Sequence, residues 1–478
     1  MTTRSLNILY ATPECVPFAS SGGLGEVAGS LPKALNRKRR SKIDCRVILP
    51  LYAKVPQSVR DKMTFLGSDM VRLVWRRQYM GLFEYRQDGV TYYFIDNEYY
   101  FNRDALYGHY DDGERFAFFS KAIFHALKMM PDFRPDILHA NDWQTALVPV
   151  LQTAVYRLED LKTVYSVHNI EYQGYYGKSF NDEVLGLPQD AVHLIEWRDG
   201  LNLMKGGIEC CNYFSTVSPS YAQELKDPAY AFGLEEIVRK NDFKLGGILN
   251  GINRTLYDPE KDPQIAANYS AKDLSGKAVC KQALQEEAGL PVRADVPLLT
   301  LISRLVPAKG LDLVRMVMDD VLNNFDAQFL LLGTGFPEYE EFFRELEERH
   351  PDKARCMIKF DPALSHRIYA GGDMILVPSR SEPCGLTQMI GCRYANVPIV
   401  RETGGLGDSI HDCTLGDGNG FTFHDYDASA LYAAIANAIS RYQDSENWQK
   451  LQQHDLREDF GWSVSAEDYR LMYLGLYE

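Results

Sequence analysis

The sequence predicts an α/β protein of two doubly wound, Rossmann-like domains, and three observations support this fold class. Short β-branched runs alternate with polar or glycine-rich breaks and amphipathic helices along the whole chain. Most of these runs are continuously apolar, as expected for parallel strands that are covered on both faces. The chain has 478 residues, 45% of them hydrophobic and 24% charged, which is enough apolar material for two large cores.

The predicted strands fall into two groups, one in each half of the chain. In the first half they are Leu6–Ala11, Arg46–Leu51, Tyr92–Asp96, Asp136–His139, Thr163–Val167, Tyr213–Val217 and Leu245–Leu249. In the second half they are Leu298–Ile302, Ala327–Leu332, Cys356–Phe360, Met374–Val377 and Pro398–Val400. Their alternation with helices predicts parallel sheets with right-handed crossovers.

Amphipathic helices are predicted between these strands. In Leu311–Phe325 and again between Leu431 and Tyr442, apolar residues recur at three- and four-residue spacing. Pro, Asp and Asn interrupt the pattern between Asn250 and Asp295. We therefore predict an N-terminal domain over residues 1–250, a C-terminal domain over residues 251–462, and an aromatic helix over residues 463–478 that packs back on the N-terminal domain. The two domains are expected to face a central cleft.

The composition excludes several classes of protein. With 51 Lys and Arg against 65 Asp and Glu the net charge is −14, which argues against a nucleic-acid binder. No stretch approaches the about 20 apolar residues of a membrane span. The nine cysteines are scattered, without a CxxC or a zinc spacing. We therefore expect a cytoplasmic protein with no metal site.

Polar and glycine-rich clusters follow the predicted strands, where ligands of open α/β sheets bind. In the first half these are Glu14 with the glycine loop after it, Asp142, and His168 with Asn169. In the second half they are Arg304 with Lys309, Gly333 to Gly335, Glu382, and the segment 402–409. All of these clusters are predicted at the same end of their sheets.

The glycine loop at Gly22-Gly23-Leu24-Gly25 does not match a dinucleotide fingerprint. Counted from Gly23 its spacing is GxGxxxG, and it starts far from its strand, so an NAD-dependent oxidoreductase is disfavoured. A tight turn with close helix packing is one interpretation. A loop that brings backbone N–H groups to a phosphate or a sugar is favoured over it.

Two cations of the second half point to a diphosphate site. Alone, Arg304 and Lys309 would be read as solvated loop residues. However, the segment Glu382-Pro383-Cys384-Gly385-Leu386-Thr387 opens a helix at the neighbouring strand end. Two cations beside a helix N-terminus form a clamp for a diphosphate, and such a clamp suits group transfer from a nucleotide diphosphate.

Other acidic and histidine residues are weighed one by one. His139 is interpreted as a packed or capping residue, whereas His168, followed by Asn169, is a functional candidate. Asp142 fits equally well as the cap of a helix that begins at Trp143 and as a site residue. Asp111-Asp112 has no third ligand nearby and is interpreted as part of a surface loop rather than a metal site.

Taken together, these motifs resemble the bacterial-type glycogen and starch synthases, which are ADP-glucose-dependent retaining glucosyltransferases of the GT-B fold. The resemblance covers nearly the whole chain. It rests on ordered segments that include GGLGEVAGSLPKAL, HANDWQTALVP, VHNIEYQG, STVSPSYAQEL, GILNGIN, ISRLVPAKGLDL and SRSEPCGLTQMIGCRYANVPIVRETGGLGDSI.

The resemblance implies transfer of glucose from ADP-glucose to the non-reducing end of an α-1,4-glucan, with retention and without a metal or other cofactor. It implies catalytic roles for Asp142, His168, Arg304, Lys309 and Glu382, with Arg304 and Lys309 on the diphosphate. It places Glu14 on the acceptor side. Implied donor contacts are Gly22, Gly23, Tyr107, Asn250, Phe360 (at the position of a tyrosine against adenine), Cys384, Gly385, Leu386 and Thr387.

One position departs from the family pattern. The family loop reads Lys-x-Gly-Gly-Leu, and here Ser20 stands in the place of the lysine. A serine can form hydrogen bonds but cannot neutralise charge. Two alternatives therefore stay open: a glucosyltransferase that uses UDP-glucose or another acceptor, and a weakly active, glucan-binding regulatory homologue. The retained clamp argues against the second, because a mere binder has no need of it.

Overall fold

A computed structural model describes residues 5–37 and 43–477 of the chain. By their internal contacts these residues form two compact units. The first contains the described residues up to Val217, together with Ala222–Ile248 and the residues from Trp462 onward. The second contains Ser218–Tyr221 and Leu249–Gly461.

The first unit is built on a twisted sheet whose strand order, among the described residues, is β12-β11-β7-β6-β1-β2-β5-β4-β3. Its strands, with those of a small second sheet (β8–β10), are β1 (Leu6–Ala11), β2 (Ile43–Pro50), β3 (Thr64–Leu73), β4 (Arg76–Gln87), β5 (Val90–Asp96), β6 (Ile137–Asn141), β7 (Lys162–Val167), β8 (Tyr175–Tyr176), β9 (Glu196–Trp197), β10 (Gly200–Asn202), β11 (Tyr213–Thr216) and β12 (Leu245–Gly247). The main sheet is parallel from β12 to β5, and β4 and β3 extend it as antiparallel strands.

Helices connect these strands. They are α1 (Gly23–Arg37), α2 (Gln57–Arg60), α3 (Glu98–Phe101), α4 (Asp112–Ala126), α5 (Leu147–Leu151), α6 (Leu203–Cys210), α7 (Pro219–Glu224) and α8 (Glu235–Lys240). Helix α1 begins in the glycine loop, as predicted. Its apolar residues Val27, Leu31 and Leu35 pack in one cluster with strands β1, β2 and β5.

The second unit is a parallel sheet with the strand order β15-β14-β13-β16-β17-β18 over the described residues. The strands are β13 (Leu298–Ile302), β14 (Gln328–Gly333), β15 (Ala354–Ile358), β16 (Met374–Val377), β17 (Val397–Arg401) and β18 (Phe421–Phe423). The helices are α9 (Ser275–Ala288), α10 (Leu311–Asn324), α11 (Pro337–Arg349), α12 (Pro362–Gly371), α13 (Thr387–Arg393), α14 (Gly404–Ser409), α15 (Ala428–Tyr442) and α16 (Ser445–Asp455).

The second unit is covered on both faces, which explains its continuously apolar strands. Along β13, Leu299 and Leu301 pack into a cluster with α10, α11 and α15, whereas Leu298 packs into a cluster with α9 and α12. Successive residues of a strand point to opposite faces of its sheet, so each face needs its own apolar set. This is the doubly wound arrangement that the sequence predicted.

A last helix, α17 (Trp462–Gly475), returns to the first unit. Its Trp462, Tyr469 and Tyr473 belong to the same buried cluster as strand β1 and helix α1. The hydroxyl of Tyr473 lies 2.7 Å from Nδ1 of His139, whose Nε2 lies 2.7 Å from Oγ of Ser166. His139 is therefore a packed residue, as interpreted from the sequence.

All the predicted strands are present, although several of their ends differ by one to three residues. For example, Cys356–Phe360 was predicted and the strand is Ala354–Ile358, while the helix predicted to end at Phe325 ends at Asn324. The long strands β3 and β4 were missed. They form an antiparallel edge with many exposed side chains, so they lack the continuous apolar run on which the prediction relied. Within residues 5–37 and 43–477, no helix is both long and apolar enough to cross a membrane.

Candidate active site

Three neighbouring strands of the first unit carry the predicted polar residues at one edge of the sheet. His168 follows β7, Asp142 follows β6, and Glu14 lies shortly after β1. These strands are adjacent and parallel in the order β7-β6-β1, so their carboxyl ends and the loops after them are neighbours. The first unit therefore brings His168, Asp142 and Glu14 together at the edge where ligands of such sheets bind.

Asp142 is held by backbone groups and does not cap the helical turn that follows it. Its side chain makes no capping bond there. Instead, its Oδ1 accepts hydrogen bonds from the backbone N–H groups of His168 at 2.7 Å and Asn169 at 3.3 Å. Its backbone is strained, with φ 55° and ψ −179°. Burial raises the pKa of the Asp142 carboxyl to about 7, although both N–H groups oppose this shift. The cap interpretation is therefore wrong.

The hydrogen bonds of His168 define which ring nitrogen carries its proton. Burial lowers the pKa of His168 to about 3, so the ring is neutral. Its Nε2 lies 3.0 Å from Oδ1 of Asn141, and this oxygen also accepts the hydroxyl of Tyr10 at 2.9 Å. Because a carbonyl oxygen only accepts, Nε2 must be the donor. Nδ1 of His168 is then a hydrogen-bond acceptor.

The Ser20–Gly23 loop closes onto Glu14. Oε2 of Glu14 accepts the backbone N–H of Ser21 at 2.5 Å and its hydroxyl at 2.9 Å. Glu14 is buried, and burial raises the pKa of its carboxyl. Ser20, Gly22 and Gly23 are exposed. A Cβ atom on Gly25 would lie 2.2 Å from Oγ of Ser20, so the glycine is needed for this close approach.

Tyr107 contributes a phenol to the same unit. Its ring packs against Phe116 of α4 with centroids 5.9 Å apart, and Phe116 in turn contacts Trp143, the residue after Asp142. Within the described part of the chain the buried hydroxyl of Tyr107 has no hydrogen-bond partner. Burial raises the pKa of Tyr107 well above its ordinary value, and the nearby carboxylates of Glu14 and Asp142 add to this.

The second unit has a pocket of about 200 Å³ where the adjacent strands β13 and β16 end. The polar residues that line it are Ser303, Arg304, Lys309, Ser379, Glu382 and Thr387. The structure therefore brings together Arg304, Lys309 and Glu382. Arg304 is exposed and, among residues 5–37 and 43–477, forms no ion pair.

Lys309 and Glu382 form an ion pair in this pocket. Nζ of Lys309 lies 2.5 Å from Oε2 of Glu382, and the hydroxyl of Ser379 donates to the same oxygen at 2.9 Å. The two loops are fastened together, because the N–H of Arg380 donates to the carbonyl of Ala308 at 2.9 Å. Gly310 allows this approach: its φ is 70°, and a Cβ there would lie 1.9 Å from the carbonyl oxygen of Pro378.

The segment after Glu382 is packed from two sides. A Cβ on Gly404 or Gly405 would lie 2.1 Å from the carbonyl oxygen of Glu382 or Cys384, respectively. The side-chain amide of Gln388 donates to the carbonyls of Cys384 and Gly385. Gly385 has a φ of 72°, Leu386 precedes α13, and Thr387 begins it.

Asn250 groups with the second unit and lies against Cys384. Burial raises the pKa of the Cys384 thiol to about 12, and hydrogen bonds from the backbone and side chain of Asn250 oppose this shift. Oδ1 of Asn250 is buried and, in the described ranges, without a partner. It is thus an acceptor that is available beside the Cys384 turn.

Within the second unit, Phe360 lies away from the pocket that contains Arg304, Lys309 and Glu382. It follows the edge strand β15, its side chain is 86% exposed, and it does not line the pocket.

Asp111 and Asp112, which were assigned to a surface loop, are bound instead to Arg103 and Arg115, each at 2.5 Å. In residues 5–37 and 43–477, no three His, Cys, Asp or Glu side chains are grouped as metal ligands.

Comparison with known proteins identifies the family. Residues 7–240 match the starch synthase catalytic domain, and residues 285–454 match glycosyl transferases group 1. The glycogen synthase of Bacillus cereus (strain B4264) is 44% identical, with 99% of this chain and 100% of that protein aligned. The chain belongs to the glycogen and starch synthase family.

Further relatives of the family agree with this. The glycogen synthase of Bacillus subtilis (strain 168) is 43% identical over 98% of each chain. The catalytic domain of starch synthase IV from Arabidopsis thaliana, a structure bound to ADP and acarbose, has a TM-score of 0.89 at 34% identity, with 99% of each chain covered. As a family member the chain is a glycosyltransferase, and the predicted GT-B class of two Rossmann-like domains is confirmed.

Some residues that shape the site were not identified from the sequence. Asn141 orients the His168 ring, Ser21 binds Glu14, and Ser379 binds Glu382. Asn141 could have been found, because it is a polar residue at the end of a mostly apolar strand. The two serines carry no such signal, since serine is common in loops.

Proposed function

We propose that this glycosyltransferase moves the glucosyl group of ADP-glucose to the non-reducing end of an α-1,4-glucan, with retention at the anomeric carbon. The observation that carries the proposal is the second unit's pocket, where Arg304 and Lys309 flank the Glu382 carboxylate. Two cations on short, pinned loops suit a diphosphate, because a planar guanidinium and a point charge can share its oxygens.

In this reaction the bond between glucose C1 and the β-phosphate oxygen breaks, and ADP leaves. The 4-hydroxyl oxygen of the terminal glucan residue forms the new bond on the same face of C1, and the proton of that hydroxyl passes to the departing diphosphate. Negative charge develops on the leaving diphosphate, so fixed cations stabilise the transition state more than the ground state. Arg304 and Lys309 are proposed for this task, without a metal ion. Turnover should therefore be unchanged by EDTA.

Donor binding should exchange the partner of Lys309. Without a donor its ammonium group is paired with Glu382 at 2.5 Å. A diphosphate carries more negative charge than one carboxylate, so we propose that Lys309 turns to it. The Glu382 carboxylate, still bound by Ser379, is then released to accept a hydroxyl group of the donor glucose.

The first unit is proposed to bind sugar hydroxyls. The Nδ1 atom of His168 is an acceptor, and the carboxyls of Asp142 and Glu14 offer further acceptors. His168 and Asp142 are assigned to the glucosyl group and Glu14 to the acceptor glucan. The remaining proposed donor contacts are Gly22, Gly23, Tyr107, Asn250, Phe360, Cys384, Gly385, Leu386 and Thr387.

One observation supports ADP-glucose as the donor. The similar Arabidopsis structure is described as bound to ADP. The exposed ring of Phe360 offers an aromatic face on which the base of either donor could stack, so it does not distinguish ADP-glucose from UDP-glucose. In addition, the described cysteines are all free, which fits the reducing cytoplasm that we propose as the location.

The experiment that tests the function is incubation of the purified chain with glycogen and either ADP-glucose or UDP-glucose. Release of the nucleoside diphosphate and extension of the glucan chains are measured together. Both should occur with ADP-glucose. Absence of turnover with both donors would show that the proposed function is wrong.

Ser20 is the reason to consider UDP-glucose as the alternative donor, and its replacement by lysine tests whether the missing charge limits the use of ADP-glucose. It is exposed and stands where the family has a lysine, so this loop brings no positive charge to the donor. We expect Ser20→Lys to raise kcat/KM for ADP-glucose about tenfold, the gain from one charge-assisted hydrogen bond. Ser68→Lys, a serine on strand β3, is the control. An unchanged kcat/KM in Ser20→Lys would show that other groups supply the missing charge.

A further inference from the structure

The chain on both sides of Tyr107 is fastened to the same pair of residues, the buried Arg115 and the partly buried Asp112. On one side, Nη1 of Arg115 donates to the carbonyl of Leu106 at 3.0 Å. On the other side, the backbone N–H of Gly108 donates to Oδ2 of Asp112 at 2.8 Å. Tyr107 is thus the residue between two anchored peptide groups.

Arg115 and Asp112 are themselves joined, which makes the two anchors one unit. Nη1 of Arg115 lies 2.5 Å from Oδ1 of Asp112, and Nε of Arg115 donates to the carbonyl of Tyr100 at 2.8 Å. The Arg115 side chain has no exposed surface. A fully buried guanidinium needs a paired carboxylate, so neither residue can be replaced without a cost to the other.

The loop is also fixed by its side chain. The Tyr107 ring rests on Phe116, which lies one residue after Arg115 on helix α4. The ring centroids of Phe116 and Trp143 lie 5.3 Å apart, and Trp143 directly follows Asp142. Backbone and ring therefore both hold Tyr107 on the frame that carries Asp142.

None of these contacts uses the Tyr107 hydroxyl. It is buried and, of the groups that the structure describes, none is hydrogen-bonded to it. Burying a hydroxyl without a hydrogen-bond partner is unfavourable, so such a group is expected to form a hydrogen bond with a ligand. Every bond that fixes the residue is made by its neighbours or by its ring, so the hydroxyl itself stays available.

We propose that Arg115 and Asp112 are positioning residues, which hold Tyr107 so that its hydroxyl meets a hydroxyl group or ring oxygen of the donor glucose. This inference rests on the proposed function, because it requires a glucosyl donor. It also gives a task to Asp112, which has the appearance of half of a metal-binding pair in the sequence.

The test is a double-mutant cycle in the full chain with Tyr107→Phe, Asp112→Asn and the combination of both. An asparagine has one acceptor oxygen where Asp112 uses two, so it cannot serve both Arg115 and Gly108. We expect each single change to lower kcat/KM for ADP-glucose about tenfold, the effect of one lost hydrogen bond. The kcat/KM of the combined variant should be no lower than that of the more impaired single variant, because both changes remove the same contact.

Inhibition by ADP supplies the readout that a purely structural role would not give. ADP lacks the glucosyl group, so its inhibition constant should be unchanged in all three variants. Asp112→Glu keeps both acceptor oxygens and should recover part of the lost kcat/KM. Asp104→Asn makes the same chemical change at an exposed position on the same loop and should have no effect.

If Asp112→Asn does not fold, Arg115→Lys takes its place in the cycle. It keeps a positive charge beside Asp112 but cannot reproduce the fork that also reaches Leu106 and Tyr100. Multiplicative losses in the combined variant, or a weakened inhibition by ADP, would overturn the positioning role while leaving the proposed function intact. A wild-type chain without turnover would instead refute the proposed function, and the positioning role with it.

Discussion

The candidate site residues of each unit differ in how firmly their charge is fixed. Lys309 is paired with one carboxylate, Arg304 is free of ion pairs among the described residues, and Asp142 is held by N–H groups within a buried environment. The cations of the second unit are therefore ready to change partners. In the first unit, by contrast, the charge of Asp142 depends on pH near neutrality, because burial raises its pKa to about 7.

Removal of the Lys309 charge should affect donor binding selectively. We expect Lys309→Ala to weaken binding of ADP-glucose about 10- to 100-fold, the range for a charge-assisted hydrogen bond. Binding of glycogen should be unchanged. The affinity for ADP-glucose can be measured by calorimetry, and the affinity for glycogen by gel retardation in glycogen.

The control for this change is Lys450→Ala. Lys450 is an exposed lysine on α16 whose partner is Glu446 in the preceding turn. It should leave both affinities at the wild-type level. Equal losses of donor and glucan binding in Lys309→Ala would contradict its assignment to the diphosphate.

Asp142 should make the stability of the chain depend on pH. Between its ordinary pKa of 3.8 and the raised value of about 7, the folded chain holds a proton that the unfolded chain releases. The free energy of unfolding should therefore fall as the pH rises through this interval, by at most about 1.4 kcal/mol per pH unit from this group. Asp142→Asn keeps the acceptor oxygen for His168 and Asn169 and removes the titration.

The measurement is the urea midpoint of wild type and Asp142→Asn at pH 4.5 and pH 7.5. Relative to wild type, the variant should gain stability at the higher pH. Asp104→Asn, at an exposed position, serves as the reference for a simple loss of charge. A constant difference between wild type and Asp142→Asn at both pH values would contradict the raised pKa.

At the scale of elements, the sequence was sufficient wherever burial imposes a pattern. Strands β1, β13 and β16 were predicted with their ends, because both faces of their sheets are covered and the apolar run is continuous. Strands β3 and β4 were not, since an antiparallel sheet edge with exposed side chains lacks this run. Residues beyond strand ends, such as Asp142 and Glu382, could be predicted as a group from topology alone.

The supporting contacts of the site could not be predicted in the same way. The bond of Ser379 to Glu382 and the two anchors around Tyr107 depend on which side chains point inward after the loops close. Such contacts join residues that are distant in sequence or that share no periodic pattern. The role of Asp112 was misread for this reason, because its partner Arg115 becomes buried only when α4 packs on the sheet.

At the scale of the whole molecule, helix α17 ties a late part of the chain to the first unit. Its Tyr473 contacts His139 in the core, and burial lowers the pKa of His139 to about 3, so this histidine is neutral and needs a hydrogen-bond partner at each side. The core of the first unit is thus made of segments from both sides of the second unit in sequence.

Tyr473→Phe tests how much this contact contributes. It leaves one nitrogen of the buried His139 ring without its partner, so we expect the free energy of unfolding to fall by about 1–3 kcal/mol. The kcat should be unchanged, because neither residue is assigned to the site. Chemical denaturation and the glucan extension assay measure the two quantities.

Tyr110→Phe is the matched change, since the Tyr110 side chain is 95% exposed. It should alter neither stability nor kcat. If Tyr473→Phe were as stable as Tyr110→Phe, the contact between helix α17 and His139 would contribute nothing to the fold.

The return of helix α17 also sets an order of events during synthesis. Trp462 and Tyr473 follow the entire second unit, so the ribosome delivers them only after residues 249–461 have been made. Until then the nascent first unit exposes the apolar surface on which the helix docks, a surface of the kind that chaperones hold. The N-terminal unit, although first to be translated, is therefore the last of the two to complete its core.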